Sequence, residues 1–382
     1  MKILFVSFMG GGAWGGSEEL WYQAALRLRS LGHEVTVSVY RFPKPAPAIA
    51  VLGRYGVLVQ QRNRGRPTLL RRIQHRLRGM IAPEAELIDL SFWIGTRRPD
   101  YICVSNGAAI DMLEGLELVA ASGVPWCNVS QCGIEWFWPT DSQATRAEPL
   151  FMTNAHWFFV AERNRQLFET QWGVRLKRAE IVRNPFKVKI TNALPWPSDT
   201  GIVHLACVAR HDPICKGQDL LLEVLAKSKW RNRPIRLSLF GEGERSLLLH
   251  RLVDRLNLTH QVVFPGHVDS IEDIWRTHHA LILPSRHEGL PLALVEAAFC
   301  GRPAIVTDVG GNIELIADGV SGFVASAPTV AHLDQALEHA WVRSAEWKTM
   351  GLAARERAIE LIPDDPVGAF SMRLLELAAS RS

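Results

Sequence analysis

The sequence predicts an α/β protein of two Rossmann-like, doubly wound domains facing a cleft. Short β-branched or apolar runs alternate with helical patterns through both halves of the chain, the mark of parallel sheets covered by helices. Its 382 residues exceed one ordinary core and suit two domains of about 150–200 residues each. Loops rich in glycine and charge follow the apolar runs, and parallel sheets bind ligands at such loops, beyond the carboxyl ends of their strands.

In the front half the strands fall at 3–8, 34–40, 101–105, 126–130 and 157–161. In the back half they fall at 203–209, 236–240, 261–264, 280–283 and 304–307. Between the halves TNALPWPSD, residues 191–199, carries two prolines and polar flanks and reads as a linker. The expected domains are therefore 1–190 and 200–365, with a terminal helix over 366–382 that packs back on the first domain.

Hydrophobic content of 47% with 21% charge excludes a disordered chain. No apolar run reaches the ~18 residues of a membrane span, and the short apolar start ends in glycines, so it reads as a first strand and not as a secretory leader. Six scattered cysteines form no CxxC pair, which fits reduced thiols in a cytoplasmic protein. Residues 1–190 carry a net +8 and residues 191–382 a net −4, so an anionic partner is expected on the front domain.

The stretch FMGGGAWGGSEE, residues 8–19, contains GxGxxG at Gly10, Gly12 and Gly15. A dinucleotide fold also needs an acidic residue at the end of the second strand; here that strand ends Ser38-Val39-Tyr40-Arg41. A phosphate-binding glycine loop opening a helix fits better, with the N–H groups of Gly16 and Ser17 aimed at an anion. A tight turn capped by Ser17 is the structural alternative.

The sharpest signal is PSRHEGLPLALVEAAFCGRPAIVTDVGGNIELI, residues 284–316. Glu288 lies in a loop, Pro291 suits a first helical turn, and Glu296 follows about two turns inside the helix. This Glu-x7-Glu pair ahead of Gly-x-Pro, a strand and a Gly-Gly loop resembles the signature of the retaining nucleotide-sugar glycosyltransferases of GT-B architecture, the glycosyltransferase family 4-like or group 1 enzymes. KILFVS with GGSEE and LRSLGHEVTV, RNPF near residue 183, VARHDPICKGQDLLLEVLA, LFGEGE and VVFPGHV resemble further segments in the same order.

The resemblance implies a hexosyltransferase-type enzyme of polysaccharide biosynthesis, in which Arg210 and Lys216 stabilise the departing diphosphate and Glu288 faces the reacting sugar. It implies that Glu296 takes the ribose hydroxyls, that Gly289 and Leu290 offer backbone N–H groups to the phosphates, and that Gly266, His267 and Val268 lie by the base. Gly16 would meet the diphosphate from the other domain. No Asp-x-Asp pair occurs, so no metal or other cofactor is expected and the cationic side chains take the metal's role.

The family commonly places a His after a Val-Pro strand start, but VPWCNVSQCGIEWFWP has Gln131 there, and an amide cannot take a proton. A nucleotide-sugar or glycan-binding subunit without turnover is therefore the alternative. Trp136 and Trp138 are candidates for stacking on an acceptor sugar, with packing as their other role. Residues 62–80, RNRGRPTLLRRIQHRLRGM, hold seven arginines and no acid. As a basic amphipathic helix they would rest on an anionic membrane face and suit a lipid-linked or glycan acceptor, or pack with a solvated arginine face. No nucleic-acid motif accompanies the charge.

Overall fold

Parallel strands dominate both halves of the chain in the computed structural model, which describes residues 1–65, 85–108, 110–188 and 192–380. The chain divides into two units, Met1–Pro185 with Asp365–Ser382, and Phe186–Asp364.

The first unit holds β1 Lys2–Ser7, β2 Glu34–Tyr40, β3 Leu58–Arg62, β4 Tyr101–Asn106, β5 Trp126–Ser130, β6 His156–Phe159 and β7 Ala179–Ile181. Among the described residues they form one sheet in the order β3-β2-β1-β4-β5-β6-β7, every pair parallel. Successive side chains leave a strand on opposite faces, and β1 shows it: Ile3 and Phe5 enter the core under helix Glu19–Ser30, Leu4 and Val6 the core on the other face. Both faces are covered, so the strands read as continuous apolar runs.

Helix Pro366–Ala379 belongs to this first unit. Asp365 caps it by accepting from the Gly368 N–H at 2.8 Å and also pairs with Arg27. Phe370 meets Phe158 edge to face at 5.5 Å, and the Arg373 Nε donates to Glu180 at 2.9 Å.

The second unit holds β8 Val203–Val208, β9 Ile235–Phe240, β10 Val262–Gly266, β11 Ala280–Leu283, β12 Ala304–Thr307 and β13 Gly322–Ala325. They pair in the order β10-β9-β8-β11-β12-β13, again parallel throughout. Three strands are absent from the pattern expected above: β3, β7 and β13. All are sheet edges, where short length and residues such as Gln60 and Gln61 weaken the apolar signal.

The division at Pro185 and Phe186 precedes the segment read as a linker. Phe186 packs on Phe299 at 4.6 Å. Arg302, 1% exposed, donates to the carbonyls of Leu194 at 3.3 Å and Pro195 at 2.5 Å, and its guanidinium lies 5.2 Å from the Trp196 ring centre. A buried guanidinium needs acceptors, and this segment supplies them, so Leu194–Trp196 is tied into the second unit and is no free hinge.

His278 makes the stability of the second unit sensitive to acid. Its Nε2 meets Ser238 Oγ and its Nδ1 the Ile274 carbonyl, each at 2.9 Å. Burial pushes its pKa down to about 4, with His204 and His279 adding to the effect. Between pH 6.5 and 4 the unfolded chain therefore binds more protons than the folded one, and stability falls as pH falls, by about 3 kcal/mol from this group. Urea midpoints followed from pH 7 to pH 4 are expected to drop less steeply in His278→Gln than in the parent; equal slopes would remove His278 as a cause.

Candidate functional site

Because the second sheet is parallel, the loops after β8, β9, β11 and β12 emerge on one edge. The loop after β8 runs into the short helix Pro213–Lys216, which Gly217 ends at φ +65°. A Cβ at Gly217 would lie 1.9 Å from the Pro284 carbonyl oxygen, so glycine alone lets the chain cross the end of β11 here. The two loops are then clipped together. The Arg286 N–H donates to the Cys215 carbonyl at 2.8 Å, and its guanidinium grips Asp219 through two bonds of 2.7 Å.

This clip places the Lys216 ammonium 2.6 Å from Glu288 Oε1, and Ser285 Oγ donates to the same oxygen at 2.8 Å. The Glu288 side chain is 7% exposed and that of Lys216 23%, so the pair sits out of bulk water, where charge interactions are strong. Thr307, at the end of β12, donates to the Ser285 carbonyl at 2.6 Å. Gly310, at φ +51°, comes so close to the Glu288 backbone that a Cβ would stand 2.3 Å from its carbonyl oxygen, and the Gly311 N–H donates to the Gly289 carbonyl at 2.6 Å.

Arg210 lies on the same edge with its side chain 44% exposed. Its Nη2 is 3.2 Å from Asp212 Oδ2, while Arg245 donates to Asp212 Oδ1 at 2.8 Å. Two guanidiniums share one carboxylate. Gln218 fixes the Arg210 carbonyl at 2.8 Å. His211 and His287 add no cation: burial, the largest influence on each, pushes both pKa values down.

Glu296 lies in helix Leu292–Phe299 and is buried, not solvated. Its Oε1 accepts the Lys187 N–H at 3.1 Å. Gly266 ends β10 at φ +77°, and its carbonyl accepts the Gly241 N–H at 2.9 Å. His267 is exposed, Val268 packs against the core, and Leu290 is buried, so Leu290 can meet a ligand only through its backbone. Asp212, Arg245, Arg286 and Thr307 escape the sequence reading because they have partners 22 to 73 residues away in the chain, and Ser285 because no local pattern marks its bond to Glu288.

In the first unit Gly16 starts a single 3-10 turn, Gly16–Glu18, ahead of helix Glu19–Ser30. Ser17 does not cap the helix; its hydroxyl lies 2.9 Å from Met9 Sδ. Glu18 is buried, accepts from Ser7 Oγ at 3.1 Å and has its pKa pushed up to about 8 by burial, so it holds its proton at neutral pH. Trp14 packs on Trp21 and Tyr22. Gln131 is buried and its Oε1 accepts from Asn184 Nδ2 at 2.7 Å. Trp136 and Trp138 are 70% and 61% exposed, while Phe137 between them packs on Trp172. Of the basic stretch 62–80, residues 66–80 lie outside the described residues. Among the described residues no helix is long and apolar enough to cross a membrane, and no cluster of three or more His, Cys, Asp or Glu could hold a metal ion.

The Gly310 contact is testable. Gly310→Ala adds left-handed strain to a backbone clash, so the urea midpoint is expected to fall by the equivalent of about 2–3 kcal/mol. An unchanged midpoint would mean that this loop does not brace Glu288.

The family described as Glycosyl transferases group 1 matches residues 196–357. The chain is 30% identical over 173 residues to the D-inositol 3-phosphate glycosyltransferase of Gordonia bronchialis, covering 42% of this chain and 38% of that protein. It is 32% identical over 127 residues to the N-acetyl-alpha-D-glucosaminyl L-malate synthase of Bacillus anthracis, covering 33% of each. The chain thus spans well under half the length of these curated relatives. Over its whole length it shares the fold of Anabaena Alr3699/HepE solved with UDP, at TM-score 0.73, 17% identity and 100% coverage of both chains. Sucrose-phosphate synthase from Thermosynechococcus elongatus gives TM-score 0.73 at 14% identity, with 100% coverage of both. The match to the group 1 glycosyltransferase family thus lies in the second unit, and over its whole length the chain shares with these solved structures a fold of two parallel, Rossmann-like sheets.

Proposed function

We propose that the protein is a retaining glycosyltransferase that moves a sugar from a nucleotide-diphosphate sugar to a glycan, lipid-linked or small-molecule acceptor, without a metal ion. The observation that carries this is the shielded Lys216–Glu288 pair on a loop edge that also carries the guanidiniums of Arg210 and Arg245. Breaking a glycosyl phosphate bond leaves negative charge on the diphosphate, and fixed cations stabilise it as it develops.

In this mechanism Arg210 and Lys216 hold the diphosphate, with the backbone N–H groups of Gly289 and Leu290 beside them. Glu288 positions hydroxyls of the donor sugar and stands by its reacting carbon. Glu296, oriented by the Lys187 amide, accepts the ribose hydroxyls, and the backbone at Gly266–Val268 reads the base. The bond from C1 to the phosphate oxygen breaks while the acceptor hydroxyl bonds to C1 on the same face. The acceptor's proton passes to a phosphate oxygen of the donor. Gln131 takes no proton; it orients a hydroxyl, and exposed Trp136 and Trp138 offer stacking faces to the acceptor. The basic stretch 62–80 would bring the first unit to an anionic membrane if the acceptor is lipid-linked.

A second reading rests on Gln131, whose Oε1 is engaged by Asn184: a donor-binding subunit that does not turn over. A thermal-shift screen of UDP, GDP and ADP sugars followed by nucleotide-release assays separates the two. The transferase predicts binding with release that survives EDTA. Arg210→Ala should cut the rate about 10²–10³-fold, and Glu296→Ala should weaken donor binding. Binding with no release would favour the subunit, and undiminished release in Arg210→Ala would sink the role given to that side chain.

A further inference from the structure

One exposed cation of the first unit is held in place by aromatic rings and by the glycine loop. Arg64 lies just past β3, two residues after Arg62. Its guanidinium carbon sits 4.3 Å from the centre of the Tyr40 ring and 5.2 Å from that of Phe42. It also rests on the glycine loop: a Cβ on Gly10 would lie 2.4 Å from Arg64 Nη2. Among the described residues no carboxylate lies within ion-pair distance of it.

Arg62 sits behind it, 0% exposed, with its own guanidinium 4.6 Å from the same Tyr40 ring and 4.8 Å from Phe8. Arg62 donates to the Ser7 carbonyl, and its Nε and Nη1 find no partner among the described residues. Glu86 and Asp89 are the acids that act on this buried charge, and Asp111, tied to the amides of Gly107 and Ala108, is an acid that Arg64 acts on from a distance. Two like charges on one ring repel, and the outer one faces solvent at the carboxyl edge of the sheet. An anion at Arg64 would relieve that repulsion, and the two rings already hold the guanidinium in place for a charge-assisted contact.

We propose that Arg64, stacked on Tyr40 and Phe42 against Gly10, binds an anionic oxygen group of the acceptor, a phosphate monoester or a carboxylate. This deepens the transferase reading above by naming the acceptor's chemical class, and it assigns a use to the positive front domain. A neutral acceptor gains nothing from the site. The donor diphosphate is excluded as the occupant if donor affinity does not depend on Arg64.

The test is titration of the full chain with glucose, glucuronate, glucose 6-phosphate and inorganic phosphate at low salt, with nucleotide affinity measured in parallel. The expected result is affinity for at least one anionic probe about tenfold or more above that for glucose, falling as salt rises. Arg64→Ala should lose that gain. Gly10→Ala, which displaces only the tip of a flexible side chain, should reduce it, and Arg64→Lys should keep part of it. Nucleotide affinity should stay within about twofold in Arg64→Ala and Arg64→Lys. Equal binding of glucose and every anionic probe, an unaffected Arg64→Ala, or a parallel loss of nucleotide affinity would each overturn the proposal. Loss of nucleotide binding in the parent protein would instead overturn the transferase reading.

Discussion

The ion pair between Lys216 and Glu288 is the contact on which the second unit's site depends, because it joins two loops that the chain separates by 72 residues. Side chains alone could not hold it. Each partner is fixed by backbone that approaches other backbone where no Cβ fits: Gly217 against Pro284, and Gly310 against Glu288. The flanking bonds from Arg286 and Thr307 set the same distance from the other side. In the proposed function a charge pair so braced would exchange one partner for a ligand phosphate without reorganising its loops, which is what electrostatic stabilisation of a leaving group requires.

The parallel topology supplies the rest. Six strands running the same way deliver every strand-end loop to one edge, so residues as distant in sequence as Arg210, Glu242, Ser285 and Gly310 become neighbours of one surface strip. The apolar interior below them, including Leu281, Leu283, Val295 and Val306, keeps that edge rigid. The first unit repeats the plan with different chemistry: a protonated Glu18 and amide side chains at Gln131 and Asn184 inside, and the stacked Arg64 outside.

Much of this was legible in the sequence. The strands at the sheet centres carry uninterrupted apolar runs, and the ordered motifs from VARHDPICKG to the Gly-Gly loop place Arg210, Lys216, Glu288 and Glu296. What escaped was set by tertiary contact. Edge strands such as Leu58–Arg62 have a polar half and no run to recognise. The segment 191–199 has the composition of a linker, yet the buried Arg302 draws its carbonyls into the second unit. Asp212 and Arg245 form a pair across 33 residues that no local spacing announces, and stacking of Arg64 on Tyr40 depends on two strands pairing in register.

The central claim is that a nucleoside diphosphate sits on the edge braced by Lys216 and Glu288. Backbone hydrogen exchange of the full chain, with and without the nucleoside diphosphate that stabilises it, tests this most directly. Slowed exchange concentrated at residues 210–218, 285–290 and 309–312 is the expected result. Protection of comparable size spread evenly over the second unit, or absent from those three segments, would contradict it.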